Sequence, residues 1–221
     1  RSGHLADLSA EDRERVAALG LELVIDLRRD DERALEPSSL PEGIAFHGAE
    51  ITPGSQASAL YAGSIELGGA RAMFDFMRSI NREFVLSQTE TYREIFTALL
   101  NSGAERILVH CSAGKDRTGF VVAILQCALD VAMSDIEADY LLSQRYFPPE
   151  EQLDRVRAKY AVDHLSDDDL LPMVSTELAY IGAAFAAIDE LWPSRDAYLR
   201  RGLGLEDAER RELRRRFVRD L

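Results

Sequence analysis

Residues 107–120 read Ile-Leu-Val-His-Cys-Ser-Ala-Gly-Lys-Asp-Arg-Thr-Gly-Phe, and no other stretch constrains the chain as tightly. A short apolar strand ends at Cys111, a turn of small and polar residues follows, and an apolar helix starts at Arg117 or Thr118. The first turn of a helix leaves backbone N–H groups unpaired at the positive end of its dipole, which makes an anion site. Gly114 lets the turn curl so that successive N–H groups point inward. Arg117, six residues after Cys111, carries a guanidinium suited to grip two phosphate oxygens. Dipole, N–H groups and Arg117 together favour the thiolate of Cys111. The segment therefore describes a nucleophile, Cys111, inside a phosphate cradle formed by Ser112, Ala113, Gly114, Lys115, Asp116 and Arg117. The competing reading makes Cys111 a small buried hydrophobe at a strand end. Against it stands the whole His-Cys-x5-Arg-Thr pattern, in its strand–turn–helix setting, in a chain with only two cysteines.

The rest of the chain supplies the frame. Ser9 and Asp12 have the spacing of a helix cap, with Gly20 closing that helix. Leu21–Leu27 and Ile44–Ile51 read as strands separated by a loop over 28–43, and Thr52-Pro53-Gly54-Ser55 reads as a turn. Apolar residues fall at helical spacing over 71–80 and 87–100, Arg106–His110 forms a third strand, and 118–129 a largely apolar helix. Beyond it only helices are expected. Ser134 with Glu137 caps one, Pro148-Pro149 introduces another, and 175–191, 195–201 and 206–217 complete the chain. This order predicts an α/β fold, a small mostly parallel sheet surrounded by helices with a helical C-terminal half. At 221 residues the chain reads as one domain over 1–221. The charged stretch 148–174 is either a solvated helical excursion or a lid over the turn, since Leu153, Val156 and Tyr160 share one helical face.

Composition narrows the function. A net charge of −13 argues against nucleic-acid binding, which rests on neutralising phosphates. No apolar run approaches the ~18 residues of a membrane span. The expected location is cytoplasmic, or secreted if a segment ahead of Arg1 held a signal. Two cysteines make neither a disulfide framework nor a closed zinc site. Cys127 lies on the stripe Phe120, Ile124, Cys127 and Val131, and ten residues of helix put it ~15 Å from Arg117, so core packing is expected of it. His4, His47 and His164 lack metal-ligand spacing, and no metal or cofactor is expected. Lysine is scarce, with only Lys115 and Lys159 beside 24 arginines.

His-Cys-x5-Arg-Thr resembles the signature turn of cysteine-dependent protein tyrosine and dual-specificity phosphatases. The variant His-Cys-Ser-Ala-Gly-Lys-Asp-Arg-Thr-Gly is similar to their bacterial branch, which includes a secreted mycobacterial member. Arg1–Leu5, Val24–Arg28 with Glu32, Ala138–Leu141 and Ala197–Leu199 match that branch in order and rough spacing. The resemblance implies metal-independent hydrolysis of phosphomonoesters in two steps. Cys111 attacks phosphorus, Arg117 and the turn N–H groups hold the equatorial oxygens, and Thr118 donates its hydroxyl to the departing thiolate. His110 orients the turn through a backbone hydrogen bond.

For the general acid, the loop after the second strand offers no Asp, so Asp116 is the first candidate. Its alternative is to brace the turn through a salt bridge to an arginine. Glu50 and Asp75 are reserve acids, with plain surface exposure as their alternative. Lys115 either adds a positive charge at the pocket mouth or is a solvated loop lysine. Phosphoinositide-directed members of the superfamily tend to carry a lysine there, which adds lipid head groups to phosphotyrosine proteins as expected substrates. Phosphoserine and phosphothreonine stand beside them. Asp26 and Arg28 anchor the end of the first strand, or Arg28 faces substrate. The competing functions are a phosphate-reading pseudophosphatase and a thiol enzyme of the rhodanese or arsenate-reductase kind.

Overall fold

A computed structural model describes residues 1–52, 69–160 and 162–219. Three parallel strands, β1 (Leu23–Asp26), β2 (Ala45–Gly48) and β3 (Ile107–His110), form a sheet in the order β2-β1-β3. All four residues of β1 are buried, as a central strand with both faces covered requires. The register aligns Asp26 with Gly48 on one side and with His110 on the other. All three strands therefore deliver their chains to the same edge, and the turn after β3 lies there. The far side of β3 is bordered by the N-terminal residues, where Ser2 bridges His110 in parallel and its N–H donates to the Val109 carbonyl at 3.2 Å.

Around the sheet run α1 (Ala10–Ala18), α2 (Asp30–Leu35), α3 (Gly69–Leu86), α4 (Thr89–Ser102), α5 (Asp116–Ala128) and α6 (Met133–Tyr146). A single turn at Pro149–Glu151 leads to α7 (Leu153–Tyr160), α8 (Asp167–Val174) and α9 (Leu178–Leu191). The short α10 (Arg195–Ala197) runs into a wide turn at Tyr198–Gly202, and α11 is Asp207–Phe217. The Ser9 hydroxyl caps α1 by accepting the Asp12 N–H at 3.1 Å, and Gly20 follows with φ 61°.

Two local expectations are corrected. Residues 28–43 contain α2 rather than loop alone. Asp30, Asp31 and Glu32 crowd its first turn, where they complement the dipole, and the Glu32 carboxylate accepts the Arg29 N–H. Ser134 does not cap α6, because that helix already begins at Met133 and its cap position is Ala132. Asp167, Asp168 and Asp169 form the first turn of α8, with Ser166 Oγ accepting the Asp169 N–H at 3.2 Å. Pro53–Ser55 of the expected turn cluster lie outside the described residues.

The core joins both halves. Tyr92 of α4 meets the Phe120 ring of α5 edge-on at 4.9 Å, and Phe84 of α3 lies 5.7 Å from Phe120. Gly119 is required by packing, since a Cβ there would stand 2.7 Å from the Tyr140 ring of α6. Cys127 packs against the core as expected; burial pushes its thiol up to about 11, and both cysteines are free. Among the described residues no single helix is long and apolar enough to cross a membrane.

Candidate active site

The turn between β3 and α5 starts at Cys111, which is buried, and its Sγ accepts the Gly114 N–H at 3.3 Å. Gly114 has φ 71°, and a Cβ on it would lie 2.3 Å from the Ser2 carbonyl oxygen. Glycine is thus required there both by backbone conformation and by the N-terminal residues packed behind the turn. The helix begins at Asp116, one residue earlier than expected, so its free N–H groups belong to the turn itself.

Arg117 is held by a group that the sequence placed only within a family motif. Its Nη1 and Nη2 donate to Glu32 Oε2 and Oε1 at 2.8 and 3.3 Å, and Nη1 also reaches the Leu27 carbonyl at 3.3 Å. Glu32 further accepts the Ser112 hydroxyl at 2.6 Å and Lys159 Nζ at 3.2 Å. Burial by itself would raise the Glu32 pKa. The Arg117 charge and the hydrogen bonds from Arg117, Ser112 and the Arg29 N–H overcome it, and the carboxyl is held far below its ordinary range. Nothing in the stretch 28–43 singles Glu32 out as part of the turn. Beside that family motif, the available signal is its place three residues after Arg29, in the first turn of an acid-led helix.

Lys115 is neither solvated nor free at the mouth. It is 2% exposed, and its ammonium donates to the Met173 and Ser175 carbonyls at 2.8 and 2.7 Å, tying the turn to the end of α8. Those carbonyls are unpaired at a helix C-terminus, which is why a buried cation is tolerated there. Asp116 borders the same cavity as Cys111. Its partners are Lys115 Nζ at 3.4 Å and the Tyr140 hydroxyl at 3.4 Å, so the brace is to a lysine and a tyrosine rather than to an arginine.

His110 Nδ1 lies 3.3 Å from the Cys111 carbonyl, the backbone contact expected of it. Thr118 is buried, and its hydroxyl has no hydrogen-bond partner among the described residues. Arg28 does not face the cavity. It is fully buried against Asp26, with Nη2 at 2.8 Å from Oδ2, and donates to the Glu36 carbonyl at 2.7 Å.

Phe84 of α3, Phe147, Val156 and Tyr160 of α7, and Met173 of α8 wall the cavity above the turn. The stretch 148–174 therefore borders the site. The reserve acids are elsewhere. Glu50 accepts the Asp30 N–H at 3.3 Å and the Thr52 hydroxyl at 2.9 Å, and Asp75 on α3 pairs with Arg71 at 2.9 Å. Neither lines the cavity. His4, Asp7 and Glu36 place ligand atoms within 4.8 Å of one another, but the Arg155 guanidinium already contacts both His4 and Glu36.

Residues 1–219 match the sequence model of the tyrosine phosphatase family. A protein of Cupriavidus necator with a provisional tyrosine-protein phosphatase name is 33% identical over 213 residues, covering 96% of this chain and 76% of the relative. A tyrosine-protein phosphatase of Nostoc commune is 27% identical, over 98% of this chain and 73% of the relative. The triple specificity protein phosphatase PtpB of Mycobacterium tuberculosis is 30% identical, over 90% of this chain and 83% of its own length.

Proposed function

The chain belongs to the tyrosine phosphatase family and is a phosphatase, and from that premise we propose that it cleaves phosphotyrosine through a cysteinyl-phosphate on Cys111. In the first step the Cys111 thiolate attacks phosphorus and the bond to the tyrosine oxygen breaks. The Asp116 carboxyl gives its proton to the departing phenoxide, while Arg117 and the turn N–H groups hold the equatorial oxygens. In the second step water attacks phosphorus, gives its proton to Asp116, and displaces Cys111 as thiolate, releasing inorganic phosphate. The Thr118 hydroxyl donates to that leaving sulfur, a role supported by its lack of any other partner among the described residues. Ser112, Ala113, Gly114 and Lys115 complete the cradle, and His110 orients it.

The observation that carries this reading is the Cys111 sulfur under the Gly114 N–H, at the start of a helix whose Arg117 is pinned by Glu32. Its test is turnover of a phosphotyrosine peptide by wild type, Cys111→Ser and Asp116→Asn, with acid quench to trap phosphocysteine. Cys111→Ser should lose at least about 10⁴-fold, the scale of removing a covalent nucleophile. Asp116→Asn should lose ~10²-fold or more on phosphotyrosine and far less on an aryl phosphate with an acidic leaving group. Activity retained in Cys111→Ser overturns the nucleophile, and equal losses on both leaving groups move the acid elsewhere.

The relative named a triple specificity phosphatase supports a substrate range that extends to phosphoserine, phosphothreonine and phosphoinositides. The same assay with those substrates measures that range. As one domain over 1–221, the protein is proposed to use 148–174 as a lid, since its helices wall the cavity.

A further inference from the structure

We propose that Lys159, on α7 and outside the signature turn, binds the substrate phosphate and supplies the charge that makes the cradle net positive. This rests on the phosphatase reading above. The first observation is one of usage. The chain has two lysines among 26 basic residues, and both reach the same turn. The ion pairs on the rest of the surface are made by arginine. A lysine carries a compact ammonium with three rotatable donors, able to turn from one acceptor to another.

The second observation is where that ammonium stands. Lys159 Nζ is 3.2 Å from Glu32 Oε1 and 3.4 Å from Ser112 Oγ. Arg117 Nη2 reaches the same two atoms, at 3.3 and 3.4 Å. Two cations from distant parts of the chain thus converge on one carboxylate oxygen and one hydroxyl, next to Cys111 in sequence. Glu36, 4.0 Å from Lys159, is met separately by Arg155 at 3.2 Å.

The third is the local charge. In the state that attacks substrate, Arg117 and Lys115 stand against Glu32 and the Cys111 thiolate and cancel, with Asp116 carrying its proton as the acid. The Lys115 ammonium is moreover committed to two carbonyls. Lys159 is the third cation, and with it the cradle is positive. In a protein of net charge −13, a phosphate dianion gains little from the outer field, so one uncancelled charge at the turn decides affinity. Lys159 is 23% exposed at its side chain, shielded enough to count yet open to substrate.

The competing role is a latch that merely fixes α7 to α2. Lys159→Met keeps the aliphatic stem and removes the charge, and Lys159→Arg keeps the charge. The readouts are KM and kcat on a phosphotyrosine peptide, the affinity for inorganic phosphate by calorimetry, and the melting temperature. Lys159→Met should raise KM and weaken phosphate binding by about 10- to 30-fold, the size of one charge-assisted hydrogen bond. Its kcat should change less than KM, and Lys159→Arg should recover most of the loss. Wild-type phosphate affinity in Lys159→Met overturns the proposal, as does equal loss in both variants or a loss that follows a lowered melting temperature. Cys111→Ser, assayed alongside, separates the two claims. If it stays active the phosphatase reading fails, whereas a dead Cys111→Ser beside a normal Lys159→Met sinks this inference alone.

Discussion

Asp26, Arg28 and His110 are wholly buried at the edge of the sheet under the turn, so their charges are met inside the protein. For Asp26, burial acts to raise the pKa. The hydrogen bonds from Arg28 and the nearby charges of His110 and Arg28 outweigh it, leaving the carboxyl below 3.8. For His110, burial is the larger effect and lowers the pKa below 6.5, against an opposing pull from Asp26. His4 is lowered as well, by burial and then by Arg155. The signs agree. As pH falls through about 6.5 the unfolded chain takes protons on these histidines that the folded chain refuses, so stability falls. Below about 4.5 the unfolded chain protonates at the positions of Glu32 and Asp26 while the folded carboxylates hold out, and stability falls further. The melting temperature should decline as pH goes from 6.5 to 5 and drop steeply below 4.5. A melting temperature that rises on acidification refutes this. At this scale Cys111, Arg117 and Thr118 were legible because their chemistry is written in consecutive residues. Glu32 and Lys159 were not, because they meet the turn across 85 and 47 residues of chain, and only the fold joins them.

The elements show the same division. The three strands and the helix after Cys111 fall where apolar runs and turn residues place them, since each is set by local pattern. The helix α2 escaped because six residues led by three acids look like solvated loop, and its value lies in aiming Glu32 at Arg117. The α7–α8 excursion is the element whose role is most testable. It is tied down by Lys115 to the Met173 and Ser175 carbonyls, by Lys159 to Glu32, and by Arg155 to Glu36. The Lys159 tie is to a carboxylate at the turn that a bound oxyanion would reorganise, and all of α7 except Leu153 is exposed or half-buried. Hydrogen exchange with saturating vanadate should therefore slow across 148–174 by about 10-fold relative to the free protein, while α9 stays unchanged. Equal exchange with and without vanadate would remove the lid.

Over the whole molecule, charge is distributed unevenly. Residues 195–221 carry nine arginines against six acids, so residues 1–194 hold a net charge of −16. Taken alone, that acidity argues against phosphate-bearing partners. The structure reconciles the two by gathering buried or half-buried cationic groups at the turn, namely Arg117, Lys115 and Lys159, with the backbone N–H groups beside them. Coulomb attraction from such a site is strong at contact but is overwhelmed by the surrounding acids beyond a Debye length, about 8 Å at physiological salt. Long-range steering then opposes a dianionic substrate, and contact-range binding favours it. Screening removes the repulsion first, because it acts over the longer distance. The kcat/KM for a small phosphate dianion should rise by about twofold as ionic strength goes from ~10 to ~150 mM. The salt must have an anion that does not compete at the turn, which is checked by titrating it against vanadate. A substrate with its phosphate on an otherwise cationic peptide reverses the sign, since the acidic exterior then attracts it. Falling kcat/KM for the dianion under those conditions would show that the outer field does not govern the encounter.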